Sequence, residues 1–245
     1  MEVSTKERLA ALARQGASHR HKALEELQRG KKKSQWIWWV FPTLATRGGD
    51  VFSRMEHSGI VPDLASVEEA SSYAAYPPLR DALLLSMVAA DKAFTKSLLS
   101  KDGMAPFAVL DLPSGREPDG VFMRGPVDAF KVRCSATLFA VIAYRSGDTA
   151  LCSASVRLLA HFKGGQMVYA AHAEGESGYT EDKHAQRTVL SGPDEPTLKL
   201  LGTDWDQVLK FAHGHTVGAL PDLSKVHESV KDEEPPPPEM MLSIF

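Results

Sequence analysis

The sequence predicts an all-α fold, a single compact multi-helix domain with irregular loop insertions. Three observations predict it. Apolar residues recur at helical spacing in several separate stretches, helix-capping signals stand at the heads of those stretches, and the segments between them collect Gly, Pro, Asp and Ser without a sustained period. The one short apolar run among the loops, Val109 to Leu112, is too brief to establish a strand.

From Thr5 to about Leu27, Ala and Leu alternate with Lys, Arg, Glu and Gln, and Ala23, Leu24 and Leu27 mark an apolar stripe. Gly30 ends this helix. Ser34 stands as an N-cap for a second, short helix from Gln35 to Phe41, closed by Pro42. Ser66 and Glu69 have capping-box spacing, so a third helix starts there and ends at Tyr76, before Pro77 and Pro78. Pro78 then opens a helix whose buried stripe is Leu79, Leu83, Met87 and Val88.

Pro126 opens the most informative helix, running to about Ala143. Val127, Phe130, Cys134, Leu138 and Val141 fall on one apolar face at about 100° per residue. Asp128, Lys131 and Ser135 form an adjoining polar stripe. Val132 and Phe139 border that stripe on its other side, which predicts partial burial for a trio of polar residues. A further helix carries Leu151, Ser155, Leu158, Leu159 and Phe162 and stops at Gly164 and Gly165. Late helices are expected from Thr197 to Leu201 and from Asp204 to His213, the latter with Asp204 and Gln207 at capping-box spacing and Gly214 as its stop.

The domain organisation that follows is an N-terminal helical extension over 1–21, a helical domain over 22–215, and a disordered acidic, Pro-rich tail over 216–245. Insertions are expected near 43–62, 103–125 and 166–193, the last polar and aperiodic.

Composition narrows the function classes. With 245 residues, 43% of them hydrophobic, the chain is long enough to bury a substantial core. A net charge of -3 provides no whole-molecule field for nucleic acid or anionic membrane. No stretch has the length of a membrane span or the apolar run of a secretory signal. The two cysteines, Cys134 and Cys152, make no metal knuckle or disulfide framework, so a soluble, cytoplasmic protein is expected.

The stretch from Lys31 to Pro42 sets three lysines before Trp36, Trp38, Trp39 and Phe41. Cations beside stackable rings resemble a single-strand nucleic-acid platform, but one short cluster in a slightly acidic chain reads better as a solvated helix end. The candidate site comprises Lys33, Gln35, Trp36, Trp38, Asp128, Lys131 and Ser135. If the tryptophan segment meets the polar stripe, they form a pocket with aromatic walls for a small anionic or planar ligand, such as a nucleotide derivative. Lys131 would compensate the anion, Ser135 would hydrogen-bond it, and Asp128 would orient Lys131 or act as a base, which admits catalysis. The competing reading makes the tryptophans core and pairs Asp128 with Lys131 along the helix.

No metal site is expected, because His161, His172, His184, His213 and His215 lack paired thiolates and the His-Glu-x-x-His spacing. No nucleophile elbow, Walker loop or dinucleotide fingerprint occurs either. A second function class is an interaction or scaffold module. Its best feature is the run Pro235 to Pro238 followed by Met240, Met241, Leu242, Ser243, Ile244 and Phe245, a linear element able to dock on a protein partner.

Three blocks together resemble the all-helical family catalogued as domain of unknown function family 1810. They are Ala23-Leu24-Glu25-Glu26-Leu27 with Gly30-Lys31-Lys32 through Phe41-Pro42, then Glu68-Glu69-Ala70 with Tyr73 and Pro77, then Asp128 with Lys131 through Phe139. Thr197 to Leu201 is a weaker echo. The sequence departs from the family pattern at Gln35, where His is usual, at Thr43, where Gln is usual, at Met123 for Gly and at Cys134 for Ser. The resemblance implies a fold rather than a reaction. Some members carry a calpastatin-like label, but the repeated inhibitory segments that label requires are not in this sequence.

Overall fold

The computed structural model describes residues 4–29, 34, 36–45, 62–98, 125–162, 167–170, 187–190 and 192–215, with 96–98, 125–130 and the two short strands described as backbone only. The fold is helical, as the spacing predicts. In chain order the helices are α1 (Thr5–Arg29), α2 (Ile37–Val40), α3 (Val67–Ala75), α4 (Pro77–Leu98), α5 (Gly125–Ser146), α6 (Thr149–Leu159), α7 (Glu195–Leu201) and α8 (Trp205–His213). None of them is long and apolar enough to cross a membrane, among the described residues.

Helix α5 is the central element. It packs along α6 and also meets α2, α3, α7 and α8, while α1 lies against α4 and α4 against α6. From Lys131 to Ala143 every side chain is buried, the polar ones included. A helix buried all round must satisfy its polar groups inside the protein. Leu9, Leu12 and Ala13 at the start of α1 enter the same core as Leu27, Trp36, Phe41, Tyr73 and Phe139. Midway along α1, Gly16 leaves room for the Arg20 guanidinium, which lies buried and donates to the Ala13 and Leu12 carbonyls at 3.0 and 3.2 Å.

Local chemistry sets several of the helix ends. Ser66 accepts from the Glu69 N–H, and Tyr76 closes α3 as expected. Asp148 caps α6 and accepts two bonds of 2.8 Å from Arg80 of α4. Asp194 caps α7 and meets Arg133 of α5 at 3.4 Å, while Arg133 also donates to the Gly192 and Pro193 carbonyls. Gly202, with φ of 59°, ends α7 in the left-handed conformation that glycine adopts at little cost.

Three local expectations are corrected. Ser34 does not cap α2: its hydroxyl donates to Glu26 Oε1 at 2.7 Å, and the cap position falls to Trp36, which makes no side-chain cap bond. The buried Glu26 carboxylate outcompetes the helix end because a buried charge needs donors more than a one-turn helix needs a cap. Gln207 does not complete a capping box with Asp204; its amide oxygen accepts from Tyr144 Oη at 3.1 Å, across to α5. Within 166–193, read as aperiodic, Met167–Ala170 (β1) and Arg187–Leu190 (β2) pair antiparallel, with Met167 opposite Leu190. Four residues per strand are too few to display a period of two. The residues 46–61, 99–124, 171–186 and 216–245, which contain most of each proposed insertion and the whole tail, lie outside the described residues.

Candidate functional site

The candidate site is built from two short backbone segments and α5. Leu44 and Leu64 form an isolated parallel bridge, in which the Leu64 N–H donates to the Thr43 carbonyl and the Ala45 N–H to the Leu64 carbonyl, both at 2.8 Å. The bridge sets Thr43 and Asp63 side by side. Arg8 of α1 fixes this corner from behind, donating to the Asp63 carbonyl at 2.9 Å and pairing with Glu69. Both side chains are buried at the corner, and both face Lys131.

Lys131 is wholly buried, with an exposure of 0%. Its Nζ donates to Asp63 Oδ1 at 2.6 Å and to Thr43 Oγ1 at 3.0 Å, and Thr43 donates in turn to Asp63 at 3.1 Å. On another side the ammonium lies 4.5 Å from the centre of the Trp38 ring. Cation–π attraction of this kind is worth about 2 kcal/mol or more once water is excluded. Burial pushes Lys131 below the ordinary lysine pKa, and the Asp63 carboxylate offsets only part of that shift.

Ser135 lies one helical turn beyond Lys131. Its hydroxyl is buried and has no hydrogen-bond partner among the described residues. A helical serine or threonine can return its hydroxyl to the carbonyl four residues back, as Ser86 and Thr137 do. Ser135 does not. Ser155 on α6 is the other orphaned hydroxyl in the described protein.

The structure brings some of the expected residues together and separates others. Trp38 and Lys131 are brought together, with Ser135 next along the helix. Trp36 is sealed in the core instead, its Nε1 donating to Glu26 Oε2 at 2.7 Å, so it offers no open wall. Lys33, Gln35 and the side chain of Asp128 lie outside the described residues. The sequence reading missed Asp63 and Thr43. Thr43 sits inside a segment rich in Gly, Thr and Arg that resembles a surface loop, and twenty residues separate it from its partner. No local spacing connects them.

A second polar group lies between α4 and α6. Asp91 accepts from Arg157 Nη2 at 2.6 Å and is hydrogen-bonded to His161 Nε2 at 2.9 Å, while the His161 ring stacks on Phe94 at 5.0 Å. Burial raises the Asp91 pKa, but the two partners outweigh it and hold the carboxyl below its ordinary value. A cavity of about 370 Å³ lies elsewhere again, between α6 and α8.

Comparison with known proteins adds the family and nothing beyond it. No curated protein and no solved structure matches the chain. One family model matches residues 7–170, which span α1 to β1 and include every described residue around Lys131. The chain belongs to the family described as Protein of unknown function (DUF1810).

Proposed function

We propose that this protein binds a small planar anionic molecule at Lys131, with its ring against Trp38 and its anionic group exchanging with Asp63 for the ammonium. The observation that carries the reading is the fully buried Lys131 between a carboxylate at 2.6 Å and an indole face at 4.5 Å, with the orphaned hydroxyl of Ser135 one helical turn further along α5. An ion pair that served the fold alone would be expected to leave no polar group unsatisfied next to it. Ligand sites set a few polar groups among apolar and aromatic side chains, and a buried hydroxyl without a partner calls for an explanation.

The competing reading is an interaction or scaffold module in which the pair is structural. The bonds from Lys131 to both Thr43 and Asp63 support it.

A thermal-shift screen of the full chain against nucleoside monophosphates and aromatic carboxylates separates the two. Ligand at about 100 times Kd adds about 2.7 kcal/mol to stability, so at least one compound should raise Tm. The Trp38→Leu protein should fold and lose that rise. If no compound shifts the native chain, or the rise survives in Trp38→Leu, the ligand reading fails.

A further inference from the structure

The cavity between α6 and α8 takes no part in the Lys131 site. Its walls are apolar where Val156, Trp205 and Leu209 face it, and Arg157 is its charged lining residue, with His213 and His215 also on the wall. No Asp or Glu lines it among the described residues. Arg157 gives one nitrogen to Asp91 but keeps 63% of its side chain exposed. Trp205 and Leu209 are only partly buried against the core, although they occupy the apolar side of an amphipathic helix. Such a groove suits a segment that is apolar and acidic together.

The chain carries one. Residues 232–245 read Asp-Glu-Glu-Pro-Pro-Pro-Pro-Glu-Met-Met-Leu-Ser-Ile-Phe, with carboxylates at Asp232, Glu233, Glu234 and Glu239 and no Lys or Arg. Met240, Met241, Leu242, Ile244 and Phe245 provide the apolar part. Its connection to the groove is short, because His215 lines the groove and is the last described residue before it. The intervening residues 216–231 can span about 50 Å, far more than the groove requires.

We propose that residues 232–245 dock into the α6–α8 groove of their own chain, the apolar residues against Trp205 and Leu209 and the carboxylates towards Arg157. Attachment makes the encounter intramolecular, at an effective concentration of about millimolar. Four consecutive prolines restrict the segment before it binds, which lowers the entropy lost on docking. The site thus has a built-in competitor, and an outside partner with the same acidic and apolar chemistry must displace it.

The test uses a fluorescent peptide of residues 232–245 and full-length chains throughout. The peptide is titrated into the native chain and into a chain carrying Leu242→Asp, Ile244→Asp and Phe245→Asp. The triple variant should bind at least about tenfold more tightly than the native chain, whose groove is already filled. Ala160→Glu, at an exposed position on the groove wall, should weaken binding to the triple variant about tenfold by adding a like charge. Equal binding to both chains, binding to neither, or binding indifferent to Ala160→Glu overturns the proposal. Sedimentation of the native chain should show a monomer at all concentrations. A dimer that the triple substitution dissociates would place the segment in a second copy and overturn docking within one chain.

Discussion

At the scale of single residues, Lys131 and Ser135 separate stability from binding. Removing one partner of a buried ion pair strands the other, so Lys131→Met should cost about 3–5 kcal/mol in urea unfolding. Combining it with Asp63→Leu should recover most of that loss, because no charge is then left behind; if the double variant is no better than the single, the pair is not the coupled unit described. The pH dependence has a definite sign. The folded state holds Lys131 below its ordinary pKa of 10.5, so it releases its proton first and the unfolded chain binds more. Stability contributed by Lys131 therefore rises with pH between the depressed value and 10.5, and Lys131→Met should remove that rise. Ser135→Ala should stabilise the unliganded protein by about 1 kcal/mol by deleting an orphaned hydroxyl, and should weaken the ligand found by screening. Ser155→Ala, with the same orphaned hydroxyl on α6, should stabilise without touching binding. Equal effects of the two serines on the ligand would remove Ser135 from the site.

Among the elements, α6 is held by the most explicit joint. Asp148 caps its N-terminus through the Leu151 N–H at 3.0 Å and takes a two-pronged bond from Arg80 on α4. Burial raises the Asp148 pKa, but Arg80 and the helix N–H groups outweigh it and hold the carboxyl below 3.8. A depressed carboxylate contributes stability above its unfolded pKa and loses it as pH falls through the folded value. The loss should therefore begin below about pH 4, and Asp148→Asn should flatten the acid limb of the unfolding profile while costing about 1–2 kcal/mol at pH 7, because it keeps a capping oxygen but removes the charge paired with Arg80. An unchanged acid limb would assign the effect to other carboxylates. Helix positions of this kind were legible in the sequence because they depend on neighbours: Ser66 with Glu69, the prolines after Tyr76 and the apolar stripes of α4 and α5. The failures lie where a distant group competes for a local signal. Ser34 looked like a cap until Glu26 came close, and Gln207 looked like a box partner until Tyr144 did.

Across the whole molecule, the same distinction governs the site. The polar stripe on α5 was visible because Lys131 and Ser135 lie a turn apart between apolar rows, and both are fully buried. Its counterpart was not visible. Thr43 and Asp63 reach Lys131 over 88 and 68 residues through a backbone bridge between Leu44 and Leu64 that no sequence period announces. Trp36 and Trp38 differ by two residues and have opposite fates, since α2 turns one indole to Glu26 and the other to Lys131. The indole N–H resonances of the full chain report on both sites at once, because Trp38 marks the Lys131 cluster and Trp205 the α6–α8 groove. Nucleoside monophosphates and benzoate, titrated to millimolar concentration, should include one that moves the Trp38 resonance while Trp36 and Trp205 stay in place. If every compound leaves Trp38 unmoved, or the response comes from Trp205 instead, Lys131 is not the centre of a ligand site.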